Sequence, residues 1–292
     1  MGNVLVLGGT QFFGKRLVQK LIDAGEQVTI ATRGRKADPF GDKVNRIVLD
    51  RESYKSMRAA AASAQWDVVY DNICFAPDDA VHACNAFAGR TKRYIMVSTL
   101  SVYPWGDSLS ENAFNPYDYP VAYGTRHDYS YGQGKRLAEA VFFQEAPFPV
   151  AAMRIPIVMG TDDYTQRLVL HIDRIAQGQP IGLPAPQAAM SMITSDEAAQ
   201  FLFWLRDQEL TGPINACSVG AISIADMLAE IERNVGKQAI IELEVTEDNS
   251  SPYGISSDWI MDHTKAVEAG FQFSKLADWY PTLVKELTRQ HK

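Results

Sequence analysis

The sequence predicts an α/β fold in which a doubly wound parallel sheet is joined to a smaller, mostly C-terminal domain. Three observations favour this fold. Short, continuous apolar runs in the first 100 residues are typical of strands that are buried on both faces. Helical patterns separate these runs, as in right-handed βαβ crossovers. A glycine-rich turn joins the first apolar run to the first helical pattern.

The N-terminal elements are predicted from the spacing of apolar residues. The first helix has a stripe of Phe13, Leu17 and Leu21 at i, i+4 and i+8, and Gly25 ends it. Five buried strands are expected in this region, at residues 4–7, 28–30, 47–49, 68–70 and 94–97.

The remaining elements follow from the same patterns. Residues 104–129 show no period and are crowded with Pro, Tyr, Asp and Asn, which predicts a long, functional loop. Helices are expected at 131–144, around Leu168, Ile172 and Ile175, at 196–206 and at 224–235, with extended segments at 150–153 and 214–217. The predicted domains are 1–155 with 191–217 for dinucleotide binding, and 156–190 with 218–292 for substrate.

Composition excludes several classes of protein. The chain has 292 residues, 46% of them hydrophobic, and a net charge of −7, so nucleic acid is an unlikely partner. It has neither an apolar run that spans a bilayer nor a signal-peptide pattern, and a cytoplasmic protein without a membrane partner is expected.

Cys74, Cys84 and Cys217 are too scattered for a disulfide framework or a metal site, which predicts buried thiols. We expect a monomer or homodimer that acts on a small molecule.

A phosphate-binding turn is predicted between the first strand and the first helix. A glycine turn followed by a helix N-terminus presents backbone N–H groups and a helix dipole to a pyrophosphate. The alternative is a tight βα turn without a ligand. Gln11 stands where a middle glycine is often found, and its side chain is expected to narrow the approach or add a contact. The candidate dinucleotide-binding residues here are Gly8, Thr10, Gln11, Phe12, Phe13 and Gly14.

Cofactor choice is predicted from the end of the second strand. Arg33 stands there with Arg35 and Lys36 and without a carboxylate, which favours the 2′-phosphate of NADP, although NAD remains possible. A solvated basic turn is the alternative. Asp50 and Arg51 follow the third strand, where an adenine would lie, and are weaker candidates.

The catalytic candidates are Thr99, Tyr131 and Lys135. Tyr131 and Lys135 are four residues apart, so a helix places them on one face, and a nearby ammonium stabilises a phenolate. Thr99 ends the fifth strand, at the sheet edge where open α/β sheets bind ligands. Taken alone, the Tyr-Lys spacing is also compatible with an exposed helical pair.

These motifs occur together in a known order. The turn 8–14, Ser98–Tyr103, Tyr131–Lys135 and Arg154–Pro156 together resemble extended short-chain dehydrogenases/reductases of the NAD-dependent epimerase/dehydratase family. The resemblance is strongest to a shorter branch similar to chloroplast stem-loop-binding proteins. It covers residues 3–217 and implies a Rossmann domain, Tyr131 as acid/base and Lys135 on the nicotinamide ribose. It also implies that Thr99 assists and that Pro156 and Ile157 lie near the nicotinamide.

The sequence departs from the family pattern at three places. Gln11 replaces a glycine, and the long gap between Thr99 and Tyr131 suggests that residues 104–130 reshape or cover the site. Met190 falls where sugar-nucleotide enzymes of the family carry an arginine for the diphosphate, a role that Arg167 or Arg174 would have to fill.

The predicted function is that of an NAD(P)-dependent oxidoreductase, epimerase or dehydratase. It is expected to act on a hydroxyl-bearing or carbonyl carbon of a sugar-like or small carbonyl substrate. Such compounds are expected to bind more tightly than UDP-sugars. The alternative is a non-catalytic dinucleotide-binding sensor, or an RNA- or protein-binding protein, on the same fold.

Overall fold

The computed structural model describes residues 2–291 and divides them into two compact units. The first unit comprises the chain up to Tyr103, Glu111–Ile155 and Ala198–Ala216. The second comprises Pro104–Ser110, Pro156–Glu197 and the chain from Cys217 onward. Within the described residues, no helix has the length and apolar character needed to cross a membrane.

The strands are short and occur in both units. They are β1 Asn3–Leu7, β2 Gln27–Thr32, β3 Asn45–Val48, β4 Val68–Asp71, β5 Tyr94–Thr99, β6 Gly106–Leu109, β7 Val150–Ile155, β8 Ile157–Met159, β9 Pro180–Gly182, β10 Ala189–Met190, β11 Met192–Thr194, β12 Gly212–Asn215, β13 Ile222–Ser223, β14 Ile240–Glu242 and β15 Trp259–Met261.

The α-helices alternate with the strands along most of the chain. They are α1 Phe12–Asp23, α2 Tyr54–Ala62, α3 Pro77–Phe87, α4 Tyr131–Glu145, α5 Arg167–Gln177, α6 Ser195–Leu205, α7 Ile224–Val235, α8 Thr264–Glu268 and α9 Leu276–Gln290.

The first unit is built on a seven-stranded parallel sheet. Its strand order is β12-β7-β5-β4-β1-β2-β3, and all six pairings are parallel. From β1 the chain adds β2 and β3 towards one edge of the sheet, and it then adds β4, β5, β7 and β12 towards the other. Doubly wound sheets bind ligands at the carboxyl edge where this direction changes, here between β1 and β4. The predicted doubly wound fold is therefore confirmed.

Two details of the predicted elements are wrong. The third strand is not buried on both faces, because β3 lies at the edge of the sheet and Val48 is 77% exposed. In α1 the buried face contains Phe12, Leu17 and Leu21, whereas Phe13 is half-buried. The helix begins one residue earlier than its apolar stripe suggests.

The second unit contains short strands that the sequence pattern does not reveal. β6 lies within the segment predicted as an unstructured loop, and it pairs with β15 from the tail. β11 pairs with β8, which places residues 191–197 in the second unit rather than with the dinucleotide-binding segment. Strands of two to four residues are too short to show a hydrophobic period.

Candidate active site

The turn after β1 brings the backbone of β1 and α1 into close contact. Gly8 and Gly9 have φ angles of +91° and +86°, which side chains other than glycine rarely adopt. A Cβ on Gly9 would lie 2.8 Å from Val6 Cγ1, and one on Gly14 would lie 3.1 Å from Gly9 Cα. These glycines are therefore required for the strand and the helix to meet at this turn.

The N-terminus of α1 is left open to an anion. Gln11 is exposed and extended, with φ −136°, and its side chain makes no capping hydrogen bond. The first turn of α1 contains no acidic residue, so the positive end of the helix dipole is not neutralised there. Phe12 has φ +52°, a strained conformation for an aromatic residue, and Thr10 is half-buried.

The residues after β2 and β3 differ in their exposure. Arg33, Arg35 and Lys36 are all exposed. Asp50 is exposed too, and its carboxylate accepts a hydrogen bond of 3.2 Å from the Glu52 N–H. Arg51, in contrast, points into the core, where Nη2 donates to Asp71 Oδ2 at 2.7 Å. Burial opposes the charge of Arg51, but the negative charge of Asp71 raises the guanidinium pKa on balance.

Tyr131 and Lys135 lie in the first turns of α4, as the spacing predicts. Tyr131 is 53% exposed, whereas Lys135 is 2% exposed. Lys135 Nζ donates to the carbonyl oxygens of Cys74, at 2.6 Å, and Val97, at 2.8 Å, and lies 5.9 Å from the centre of the Tyr131 ring. An ammonium has three N–H donors, so one remains for a ligand.

Two glycines bring this helix against the carboxyl edge of the sheet. A Cβ on Gly132 would lie 2.6 Å from the carbonyl oxygen of Ser101, and one on Gly134 would lie 2.6 Å from that of Phe75. Any side chain at either position would displace the helix from the ends of β5 and β4. The glycines between Tyr131 and Lys135 therefore hold the pair at the sheet edge.

We expect Gly134→Ala to lower turnover by about tenfold or more and to lower the midpoint of thermal unfolding. The added methyl group meets a main-chain oxygen, so α4 must shift, and a displacement of about 1 Å at a reacting group has a large kinetic effect. Gln133→Ala is the matched control, because Gln133 is exposed in the same turn. Steady-state kinetics and thermal melts of both variants test this expectation. Equal behaviour of the two variants would contradict it.

Thr99 is the last residue of β5 and is buried beside β7. Its Oγ1 accepts a hydrogen bond of 3.1 Å from the Ser101 N–H, which leaves the hydroxyl hydrogen for another acceptor. Thr99 is in register with Ile155, the last residue of β7. Pro156 follows Ile155 directly and belongs, with Ile157 of β8, to the second unit.

A buried network that the sequence analysis missed ties α4 to this edge. Glu139, one turn after Lys135, accepts hydrogen bonds from Ser98 Oγ and from Arg154, whose Nη2 lies 2.5 Å from Glu139 Oε2. Arg154 is completely buried and also donates to Tyr103 Oη at 2.8 Å and to the Glu111 carbonyl at 2.9 Å. The network fixes the α4 register relative to β5 and β7.

The segment after β4 also contributes to the site. The Phe75 ring lies 4.8 Å from Lys135 Nζ and 6.3 Å from the Tyr131 ring. The Phe75 N–H donates to Asp79, which fixes the segment at the start of α3. The position of this segment at the carboxyl end of a central strand was the signal that could have identified it.

The predicted loop is ordered against two helices of the first unit. Gln144 Nε2 of α4 donates to the carbonyls of Pro116 and Tyr119, and the Gly124 N–H donates to Asp78 of α3. The expectation that this segment covers the site remains a prediction.

The basic candidates of the second unit have different surroundings. Arg174 donates to the carbonyls of Asp248, Asn249 and Ser250 at 2.7–2.9 Å, so its guanidinium is already engaged. Arg167, in the first turn of α5, is half-buried, and Met190 is buried. No group of metal-binding side chains occurs among residues 2–291.

Comparison with known proteins gives a family match and a relative from a plant. Residues 4–73 match the NAD dependent epimerase/dehydratase family, which confirms the resemblance found in the sequence. The chain is 26% identical over 230 residues to the chloroplast stem-loop binding protein of 41 kDa b from Arabidopsis thaliana, covering 72% of this chain. The aligned region spans 57% of that relative.

Solved structures share the fold over nearly the whole chain. A UDP-glucose 4-epimerase from Thermotoga maritima, solved with UDP-glucose, superposes with a TM-score of 0.77 at 16% identity, covering 99% of each chain. A UDP-glucose 4-epimerase from Thermus thermophilus, solved in complex with NAD, gives 0.74 at 16% identity, covering 98% of this chain and 99% of the other. At such identities the likeness establishes the fold alone.

Proposed function

We propose that this protein is an NAD(P)-dependent enzyme of the epimerase/dehydratase type. It acts on a hydroxyl-bearing or carbonyl carbon of a sugar-like or small carbonyl compound. The observation that supports this most directly is the geometry of Lys135, whose buried ammonium lies beneath the exposed Tyr131 phenol and is fixed by two main-chain carbonyls. The match of residues 4–73 to the family supports a dinucleotide as the cofactor.

The residues at the carboxyl edge of the sheet fit a dinucleotide. The turn after β1 has the close-packed glycines and the open helix N-terminus that a pyrophosphate requires. Near the ends of β3 and β4, buried polar atoms have no partner among the described residues: Nε and Nη1 of Arg51 and both carboxamide atoms of Asn72. Such atoms are costly unless a ligand pairs with them.

Each catalytic side chain has one role in the proposed mechanism. A bound dinucleotide supplies hydride transfer to or from the substrate carbon. Tyr131 Oη takes the proton from a substrate hydroxyl, or returns it, while the Lys135 ammonium stabilises the phenolate. The third N–H of Lys135 is available for a ribose hydroxyl. The Thr99 hydroxyl donates to the substrate oxygen and holds it beside Tyr131.

The second candidate function is suggested by the name of the Arabidopsis relative. It is a non-catalytic protein that keeps the dinucleotide as a sensed ligand and binds RNA or protein. The net charge of −7 disfavours RNA, and the presence of both Tyr131 and Lys135 favours an enzyme. An absorbance spectrum of the purified protein tests for a retained nucleotide, and turnover on a panel of sugars and carbonyl compounds separates the two functions.

NADP(H) is expected to bind more tightly than NAD(H), by about tenfold or more. Arg33 is exposed directly after β2, so a 2′-phosphate there gains a charge-assisted hydrogen bond. Titration of both cofactors against wild type and Arg33→Ala measures this. Lys36→Ala is the control, because it removes one positive charge from the same turn and leaves Arg33 in place. Equal wild-type affinities, or a preference unchanged in Arg33→Ala, would contradict the role of Arg33.

UDP-sugars are expected to bind more weakly than simple sugars or small carbonyl compounds. Met190 offers no charge to a diphosphate, and the Arg174 guanidinium is engaged by three carbonyls. Calorimetry with UDP-glucose and with the simple compounds compares the two classes. Low-micromolar affinity for UDP-glucose would contradict this expectation, and Arg167 would then be the candidate residue that binds the diphosphate.

The cellular setting is also part of the proposal. Cys74, Cys84 and Cys217 are buried thiols, as predicted, and their burial as thiols supports a reducing compartment such as the cytoplasm. A monomer or homodimer is proposed, and sedimentation of the purified protein measures it.

A further inference from the structure

Asn72 has an unusual environment for a buried amide. It directly follows β4, and neither Nδ2 nor Oδ1 of its carboxamide has a hydrogen-bond partner within residues 2–291, although both atoms are buried. Leaving such a group unpaired lowers the stability of a folded protein. A satisfied structural role within the protein therefore does not explain this side chain.

The carboxamide lies against the turn between β1 and α1. Asn72 Nδ2 is 3.2 Å from the position that a Cβ on Gly14 would occupy. Asn72 Cβ is 3.6 Å from the position that a Cβ on Gly8 would occupy. Gly14 belongs to the first turn of α1. The amide is thus beside the N–H groups that a pyrophosphate would contact.

The backbone N–H of Asn72 and the carboxylate of Asp71, the preceding residue, already have hydrogen-bond partners. The Asn72 N–H donates to the Leu7 carbonyl, which fixes the backbone next to β1. Asp71 accepts from Arg51 and Tyr94 through Oδ2 and from the Ile73 N–H through Oδ1. The donor and the acceptor of Asn72 are therefore both available to a ligand.

We propose that Asn72 binds the dinucleotide where its pyrophosphate joins a ribose, with Nδ2 donating to a phosphate oxygen and Oδ1 accepting from a ribose hydroxyl. This inference rests on the proposed cofactor. A phosphate at neutral pH has only acceptors and would satisfy Nδ2 alone. Oδ1 requires a donor, and a hydroxyl of the adjoining ribose is the donor that a dinucleotide provides next to its phosphates. Rotation of the carboxamide exchanges the positions of its nitrogen and oxygen, so Nδ2 can face the phosphate whichever way the amide is assigned.

Asn72→Leu separates this role from a structural one, because it removes both polar atoms at similar volume. If a ligand is their partner, the variant without cofactor should melt about 2 °C or more above wild type. Its affinity for ADP-ribose should fall about tenfold or more, and by more than its affinity for adenosine, which has a ribose but lacks the phosphates. Asn215→Leu is the control, since Asn215 is buried at the end of β12 and accepts from Tyr103 Oη, so its loss should lower the melting temperature.

Thermal melts and calorimetry with ADP-ribose, NADH and NADPH give readouts independent of turnover. A lower melting temperature for Asn72→Leu, as in the control, or unchanged ADP-ribose affinity would overturn the inference. If that variant does not fold, Asn72→Asp, which places a negative charge beside the phosphates, must lose more affinity for ADP-ribose than for adenosine. Equal losses would also overturn it. A wild-type protein that binds no dinucleotide would instead refute the proposed function itself.

Discussion

Tyr131→Phe is expected to lower kcat by at least about 10²-fold while cofactor affinity stays close to that of wild type. The phenol is exposed at the start of α4 and forms no part of the buried network, so its hydroxyl can be removed without disturbing the fold. Single-turnover kinetics and cofactor titration measure the two effects separately. Turnover like that of wild type would exclude Tyr131 as the proton-transfer group.

Lys135→Met is the informative companion to this variant. Methionine approximates the length of the side chain but removes the ammonium that stabilises the phenolate and donates to the ribose. Both kcat and cofactor affinity should fall. Loss of turnover with unchanged cofactor affinity would mean that Lys135 stabilises the Tyr131 phenolate but does not bind the ribose.

The second large effect is expected on stability, from the buried pair of Glu139 and Arg154. Glu139→Leu leaves the Arg154 guanidinium buried without its carboxylate, and we expect the free energy of unfolding to fall by about 3–5 kcal/mol. In the native protein burial opposes the charge on Arg154, but Glu139 raises the pKa of this guanidinium on balance. A guanidinium does not lose its proton in proteins, so the arginine stays charged when Glu139 is removed. Chemical denaturation of the purified variant measures the loss.

A double-mutant cycle distinguishes an unpaired charge from simple loss of packing. The variant Glu139→Leu with Arg154→Met removes both charges and should be more stable than Glu139→Leu alone. Additive losses would indicate that the two residues act independently, and would exclude the pair as the element that fixes α4.

The sheet and the catalytic helix could be predicted because their signals are local. A strand buried on both faces requires a continuous apolar run, and β1, β4 and β5 have such runs. The four-residue spacing of Tyr131 and Lys135 places them together only on a helix, and α4 begins at Tyr131. The edge strand β3 was mistaken for a buried one, because its apolar run does not indicate the order of strands in the sheet.

The groups that position the site could not be predicted, because they meet only after folding. Ser98, Glu139 and Arg154 are far apart in sequence, and each is an ordinary polar residue in its own segment. The burial of Arg51 against Asp71 joins residues at the ends of β3 and β4, two strands that are not neighbours in the sheet. Asn72 gives no sequence signal at all, because its significance comes from the partners that it lacks.

The anchoring of Lys135 has a consequence for how this site tolerates sequence drift. The ammonium is held by the carbonyls of Cys74 and Val97, atoms that every amino acid possesses. Substitutions at positions 74 and 97 that preserve the backbone therefore leave the lysine in place, and only the packing of these two buried side chains limits which residues fit. A distant relative with the same chemistry is better recognised by the four-residue spacing of its tyrosine and lysine, and by the position of that pair at the carboxyl ends of the strands. The identity of the residues whose carbonyls anchor the lysine is less informative.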